Sequence, residues 1–189
     1  MEIEVSAEAK DKRLNRRVAM TVVALSIFMG LAQVKDGNIV QAMDLAQSNA
    51  VDRWGEYQAT RTKQHIDEAA LGQEGALASL SPAAAAATAG ERARLAAEIA
   101  KYQREAPQLR AQAEGLQAQY DALNRHDDQF DASDALLATA ISIAAVAALV
   151  ETMALLYVAW VFAAGGLVMG LAGFLGLGLH SDLLSRLLG

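Results

Sequence analysis

The sequence predicts an all-α membrane protein: three transmembrane helices, with an extramembrane antiparallel coiled-coil hairpin between the first and second spans. Three observations carry this. Long apolar stretches nearly free of charge lie at Val18–Val34 and across Ala135–Leu179. A seven-residue apolar repeat runs from Leu95 to Phe130. The charged residues are segregated from the apolar ones rather than interspersed, so a chain that is 53% hydrophobic can still be 20% charged.

The first stretch, VAMTVVALSIFMGLAQV, meets no charge until Lys35. Its small residues at Gly30-Leu31-Ala32 allow a signal-peptide reading. The leader before it carries Glu2, Glu4, Glu8 and Asp11, which suits an anchor better. Within 135–179 the only ionisable residue is Glu151. A helix needs about 20 residues to cross the hydrocarbon core, so this run holds two spans, near Ala135–Val150 and Leu155–Leu179, with a turn at Glu151 and Thr152. Lipid leaves no backbone group unsatisfied, which demands helices. Lys10, Lys12, Arg13, Arg16 and Arg17 crowd the segment 1–17 ahead of the first span. By the positive-inside rule the N-terminus is then cytoplasmic and the stretch 35–134 is periplasmic, in a bacterial inner membrane. Residues 180–189 form a C-terminal tail.

The segment 36–134 holds nine basic residues against sixteen acidic ones and so accounts for the net charge of −6. That balance disfavours nucleic acid as a partner. Leu95, Tyr102, Leu109, Leu116, Leu123 and Phe130 recur every seven residues, with Ile99, Ala106, Ala113, Tyr120 and Asp127 between them. This four-three alternation over about five repeats is a coiled-coil seam. Pro107 removes a backbone donor inside it and should kink the helix. A weaker seam passes through Ile39, Met43, Ala46, Ala50, Trp54 and Tyr57 and continues less cleanly to Ile66 and Ala69. Between them the low-complexity string 72–90, with Pro82, reads as a connector. The seams pair with each other or with neighbouring copies.

Three strings add a resemblance. Arg53-Trp54-Gly55-Glu56-Tyr57-Gln58-Ala59 follows the first span, Lys101-Tyr102-Gln103-Arg104-Glu105 lies in the second outer helix, and Asp127-Asp128-Gln129-Phe130-Asp131 precedes the paired final spans. Together they resemble a family of small bacterial three-span membrane proteins known only as a domain of unknown function (family 4337). The likeness covers nearly the whole chain and implies the order of spans. It supplies no activity and no catalytic residues.

Candidate sites are few. Gly166, Gly170 and Gly173 put small residues on one face of the last span, a pattern that lets helices approach closely in lipid. The partner would be a neighbouring molecule or the alanine-rich second span of the same chain. Trp54, Tyr57 and Trp160 are candidate docking aromatics. Asp127, Asp128, Asp131 and Asp134 form an acidic group that reads as a solvated collar rather than a calcium or magnesium site, since it lacks the glycine and ordered loop of one. His65, His126 and His180 are scattered, there is no cysteine, and no nucleophile triad, phosphate loop or dinucleotide fingerprint occurs. No cofactor or metal is expected. The expected role is a non-catalytic membrane scaffold or accessory subunit, its partners being itself, subunits of a membrane complex and the bilayer. The alternative is a small oligomeric channel or transporter using Thr21, Ser26, Gln33, Thr139 and Ser142.

Overall fold

A computed structural model describes residues 2–177, with side-chain surroundings from residue 12 onward. Three helices follow one another: α1 (Glu2–Ala78), α2 (Pro82–Leu149) and α3 (Met153–Leu175). Each is long and apolar enough to cross a membrane. The side chain of Lys10, the end of the expected last span at Gly178 and Leu179, His180 and the tail 180–189 lie outside what is described.

The expected connector at 72–90 shrinks to Ser79-Leu80-Ser81. Low complexity there is a run of alanines, the best helix formers, and isolated Gly72, Gly75 and Gly90 cost only about 1 kcal/mol each. Pro82 stands at the first helical position, where its missing N–H is no loss. The Ser81 hydroxyl caps α2 by accepting from the Ala84 N–H at 3.1 Å. Pro107 lies inside α2, which continues through it.

The chain divides into two compact units, Met1–Met43 with Asp121–Gly189, and Asp44–Tyr120. In the first, α1, α2 and α3 pack in layers. Leu14 and Val18 meet Ala144, Ala147, Leu156 and Ala159. Leu25 meets Leu137, Ala140 and Ala163. Beyond them Phe174 stacks edge-on against both Phe28 and Phe130, with ring centroids 6.0 and 5.2 Å apart. Met20, Val23, Ile27, Leu31 and Val34 are exposed on α1, as are Val161, Val168 and Leu175 on α3. Large apolar side chains left outward at helical spacing are what lipid would cover.

In the second unit, α1 and α2 run antiparallel. Glu56 and Lys63 share one groove with Gln112 and Glu105, and Tyr57 and Gln64 share another with Arg110 and Gln103. Leu95, Ile99, Ala106 and Ala113 are buried, and Tyr102, Leu109, Leu116 and Tyr120 are half-buried. On α1 the weaker seam holds to Tyr57 and then departs from its expected course. Ile66 is 61% exposed and Ala69 is exposed, whereas Gln64 is 4% exposed and Asp67 is half-buried. The seven-residue row of Ala50 and Tyr57 continues to Gln64, passing from apolar residues to a polar one. Gln64 accepts from Arg61 at 2.8 Å and donates to Glu68 at 2.7 Å. The ion pairs of this unit, such as Arg110–Glu114 at 2.8 Å, lie along single helices and are solvated, so they contribute little.

Both α2 and α3 end in the same way. Thr152 N–H reaches the Ala147 carbonyl at 3.1 Å, and Leu177 N–H reaches the Ala172 carbonyl at 3.0 Å. Each is the six-to-one bond that closes a helix around a left-handed residue. After α3 that residue is Gly176, at φ 66°. This stops the last helix at Leu175, short of the expected 179. After α2 it is Glu151, at φ 50°, where a side chain is strained. Glu151→Gly should therefore raise the unfolding midpoint of the detergent-solubilised protein by the equivalent of about 1 kcal/mol. A lower midpoint would mean that the exposed carboxylate has a structural partner.

Candidate functional site

The glycine face of α3 is occupied by the chain itself. A Cβ on Gly166 would lie 2.8 Å from Leu137 Cγ and 3.1 Å from the Ser133 carbonyl oxygen. On Gly170 it would lie 2.7 Å from both Phe28 Cε1 and Ser133 Oγ, and on Gly173 2.9 Å from the Phe130 ring. Of the two alternatives left open by the sequence for this face, packing within one chain is the one seen, against Phe28 of α1 as well as against α2. The contact is reinforced by buried polar bonds: Ser133 Oγ donates to the Gly166 carbonyl at 2.8 Å, and Gln129 donates to the Leu177 carbonyl at 2.6 Å. Ser133 and Gln129 are fully buried. Neither has an apolar signature, which is why an apolar period misses them.

The aromatic candidates are also engaged. The Trp160 indole donates to Thr21 Oγ1 at 3.0 Å, tying α3 to α1, and its ring stands edge-on to Tyr157 at 5.6 Å. Trp54 and Tyr57 form a second edge-on pair at 5.7 Å. Tyr57 lines a groove of about 230 Å³ with Arg61, Gln64, Pro107 and Arg110.

The polar residues of the spans do not converge. Thr139 and Ser142 bond back to the carbonyls of Ala135 and Ala138 on their own helix, and both are exposed, as is Ser26. Thr21 is taken by Trp160. Gln33 alone joins a wider polar group, donating to Asp134 Oδ2 at 3.0 Å.

That group is a set of acidic side chains on α1 and α2. Asp36 from α1 meets Asp127, Asp131 and Asp134 from α2. Asp36 continues the inward row of Val22 and Met29 on α1, and Asp127 occupies a seam position on α2, so the two acids face across the helix pair. Burial pushes the Asp127 carboxyl up to about 6; the charge of Asp36, the hydrogen bond to it, and the charges of Asp131 and Asp128 act the same way. Asp36 is raised by burial and by Asp134, while the hydrogen bond from Asp127 opposes this. Asp131 is raised by burial and by the surrounding acids. Of the two, Asp127 is the one pushed further towards the neutral form. Asp36 Oδ1 and Asp134 Oδ1 are shut off from solvent without a hydrogen-bond partner. The expected collar of solvated acids is therefore only partly solvated. Among the described residues, no three His, Cys, Asp or Glu side chains have the arrangement of a metal site. His65 pairs with Glu68 and His126 lies 3.4 Å from Gln129.

With this geometry in place, comparison with known proteins places the chain. Residues 14–176 match the family described as Domain of unknown function (DUF4337). The chain belongs to that family. The match to DUF4337 takes in the acid group, the seam and the glycine face together. No curated protein and no solved structure matches the chain.

The glycine face yields a direct test. Gly170→Ala should destabilise the bundle by about 1–3 kcal/mol through overpacking. Gly165→Ala, whose Cβ would meet only Leu136 Cδ1 at 3.5 Å, should be tolerated. Equal unfolding midpoints for the two variants would contradict the packing.

Proposed function

We propose that this chain is a non-catalytic scaffold or accessory subunit of a bacterial inner membrane. Its N-terminus is cytoplasmic, and the segment 35–134 stands in the periplasm as an antiparallel coiled coil. The orientation rests on the basic cluster, of which Lys12, Arg13, Arg16 and Arg17 are exposed. The observation that carries the reading is that polar side chains in and beside the apolar stretches are spent on bonds to neighbouring helices or to their own backbone. Within the first unit the inward row of α1 keeps step, with Val18, Leu25, Ala32 and Ile39 buried at seven-residue intervals. Spending polar residues on bonds that tie helices together, as Gln129, Ser133 and Trp160 do, suits a structural role better than a conduit.

Because the glycine face is filled internally, its role in this reading is to make the anchor firm, leaving association to the outer segment and to lipid-facing side chains. The partners are further copies of the chain or subunits of a membrane complex. Native mass spectrometry after extraction in mild detergent should find the chain with co-purifying copies or subunits. A lone monomer would overturn the proposal. Leu109→Asp combined with Leu116→Asp should abolish those assemblies while membrane insertion persists. Assemblies that survive both substitutions would remove the seam from the account.

A further inference from the structure

In the second unit, one groove between α1 and α2 brings three separate features of the sequence together. Tyr57, Arg61 and Gln64 line it from α1, and Gln103, Pro107 and Arg110 line it from α2. The first feature is charge. Arg61 and Arg110 bring two guanidinium groups to the groove, and none of its lining residues is acidic. A second groove of the same unit differs, because Glu56 and Glu105 line it beside Lys63, which disfavours an anion. Neither arginine is used up by its neighbours. Arg61 Nη1 donates to Gln64 Oε1 at 2.8 Å, and Arg110 Nε donates to Glu114 Oε1 at 2.8 Å. A guanidinium has five N–H donors, so each keeps others to offer. The Arg110–Glu114 pair is also solvated, its side chains 60% and 53% exposed, and pairs of that kind are weak.

The second feature is Pro107. A proline inside a helix is costly because it has no N–H to give the carbonyl four residues earlier. Here that carbonyl belongs to Gln103. Residues 103 and 107 both line the groove, so the gap between them, where the unbonded oxygen points, lies at its wall. Local rules of this sort are broken chiefly where function uses the result. The third feature is the Tyr57 phenol, which can donate and accept. Its ring stands edge-on to Trp54 at 5.7 Å.

We propose that this groove is a binding site for hydrogen phosphate. The two guanidiniums and the phenol donate to its charged oxygens, and its own P–OH donates to the Gln103 carbonyl. Paired guanidiniums favour an oxyanion of this shape. The carbonyl decides which oxyanion. An acceptor at the wall repels an anion without hydrogen and favours one that carries a donor. Sulfate has no donor at neutral pH, whereas inorganic phosphate keeps a P–OH. Exposed and half-buried side chains make the site weak, with Kd about 1 mM. The inference stands apart from the scaffold reading and concerns the second unit alone.

Phosphorus NMR tests it, using inorganic phosphate and the full-length chain in a maltoside detergent at pH 7. The phosphate signal should broaden saturably as the protein is added. Sulfate, and dimethyl phosphate as the diester chemistry of a lipid headgroup, should displace phosphate about tenfold less well than phosphate itself. Pro107→Ala returns an N–H to the Gln103 carbonyl and favours the helix, so its loss of binding cannot come from unfolding. It should weaken phosphate about tenfold and erase the advantage over sulfate. Arg61→Gln and Arg110→Gln should each weaken phosphate about tenfold. Lys63→Gln, which removes a cation from the second groove, should change it by less than about twofold. Absence of saturable broadening overturns the proposal. So does sulfate or dimethyl phosphate competing as well as phosphate, or a Pro107→Ala variant that keeps the preference.

Discussion

Close approach of α3 to its two neighbours is the constraint on which the membrane unit depends. Three positions on one face of α3 have no side chain, and that absence lets Leu137, Ser133, Phe130 and Phe28 occupy the space where Cβ atoms would stand. Helix association in lipid gains nothing from expelling water, so it relies on contact area and on buried hydrogen bonds. The glycines supply the contact. Ser133 and Gln129 supply the bonds, each to a backbone carbonyl of the α3 segment that it faces. The phenylalanine cluster then closes the end of the bundle, with one ring from each helix.

In the second unit the side chains between the helices are of a different kind. Alanine at Ala106 and Ala113 lets α1 and α2 approach, but alanine buries little area. Polar residues therefore share the inward positions, and each must find a partner there. Gln64 does so along its own helix, whereas Asp67 keeps one oxygen hidden from solvent without a partner.

Much of this was legible in the chain itself. The three apolar stretches, the strict period from Leu95 to Phe130 and the left-over position of Glu151 all follow from hydrophobic pattern and element length. Ile66 and Ala69 misled, because an apolar search follows apolar residues while the seven-residue row continued to Gln64. The alanine string after Pro82 misled because low complexity suggests a linker, whereas helix propensity says the opposite. The glycine face was visible, but a period on one helix cannot say which helix it meets. Asp127 stood out as a charge on an apolar seam. Its partner Asp36 could have been found by continuing the Val22–Met29 row one heptad further. The roles of Ser133 and Gln129 carry no periodic signal at all and emerge only when α2 and α3 are packed.

The central claim is that the glycine face of α3 is closed by the same chain and not by a neighbour. The chain has no cysteine, so a single engineered pair can test it cleanly. With Ser133→Cys and Gly170→Cys, positions where a Cβ on residue 170 would stand 2.7 Å from the Ser133 oxygen, mild oxidation in the membrane should form an internal disulfide. The protein should then run as a monomer on denaturing gels, with faster mobility than its reduced form. Disulfide-linked dimers in place of that monomer would contradict the account.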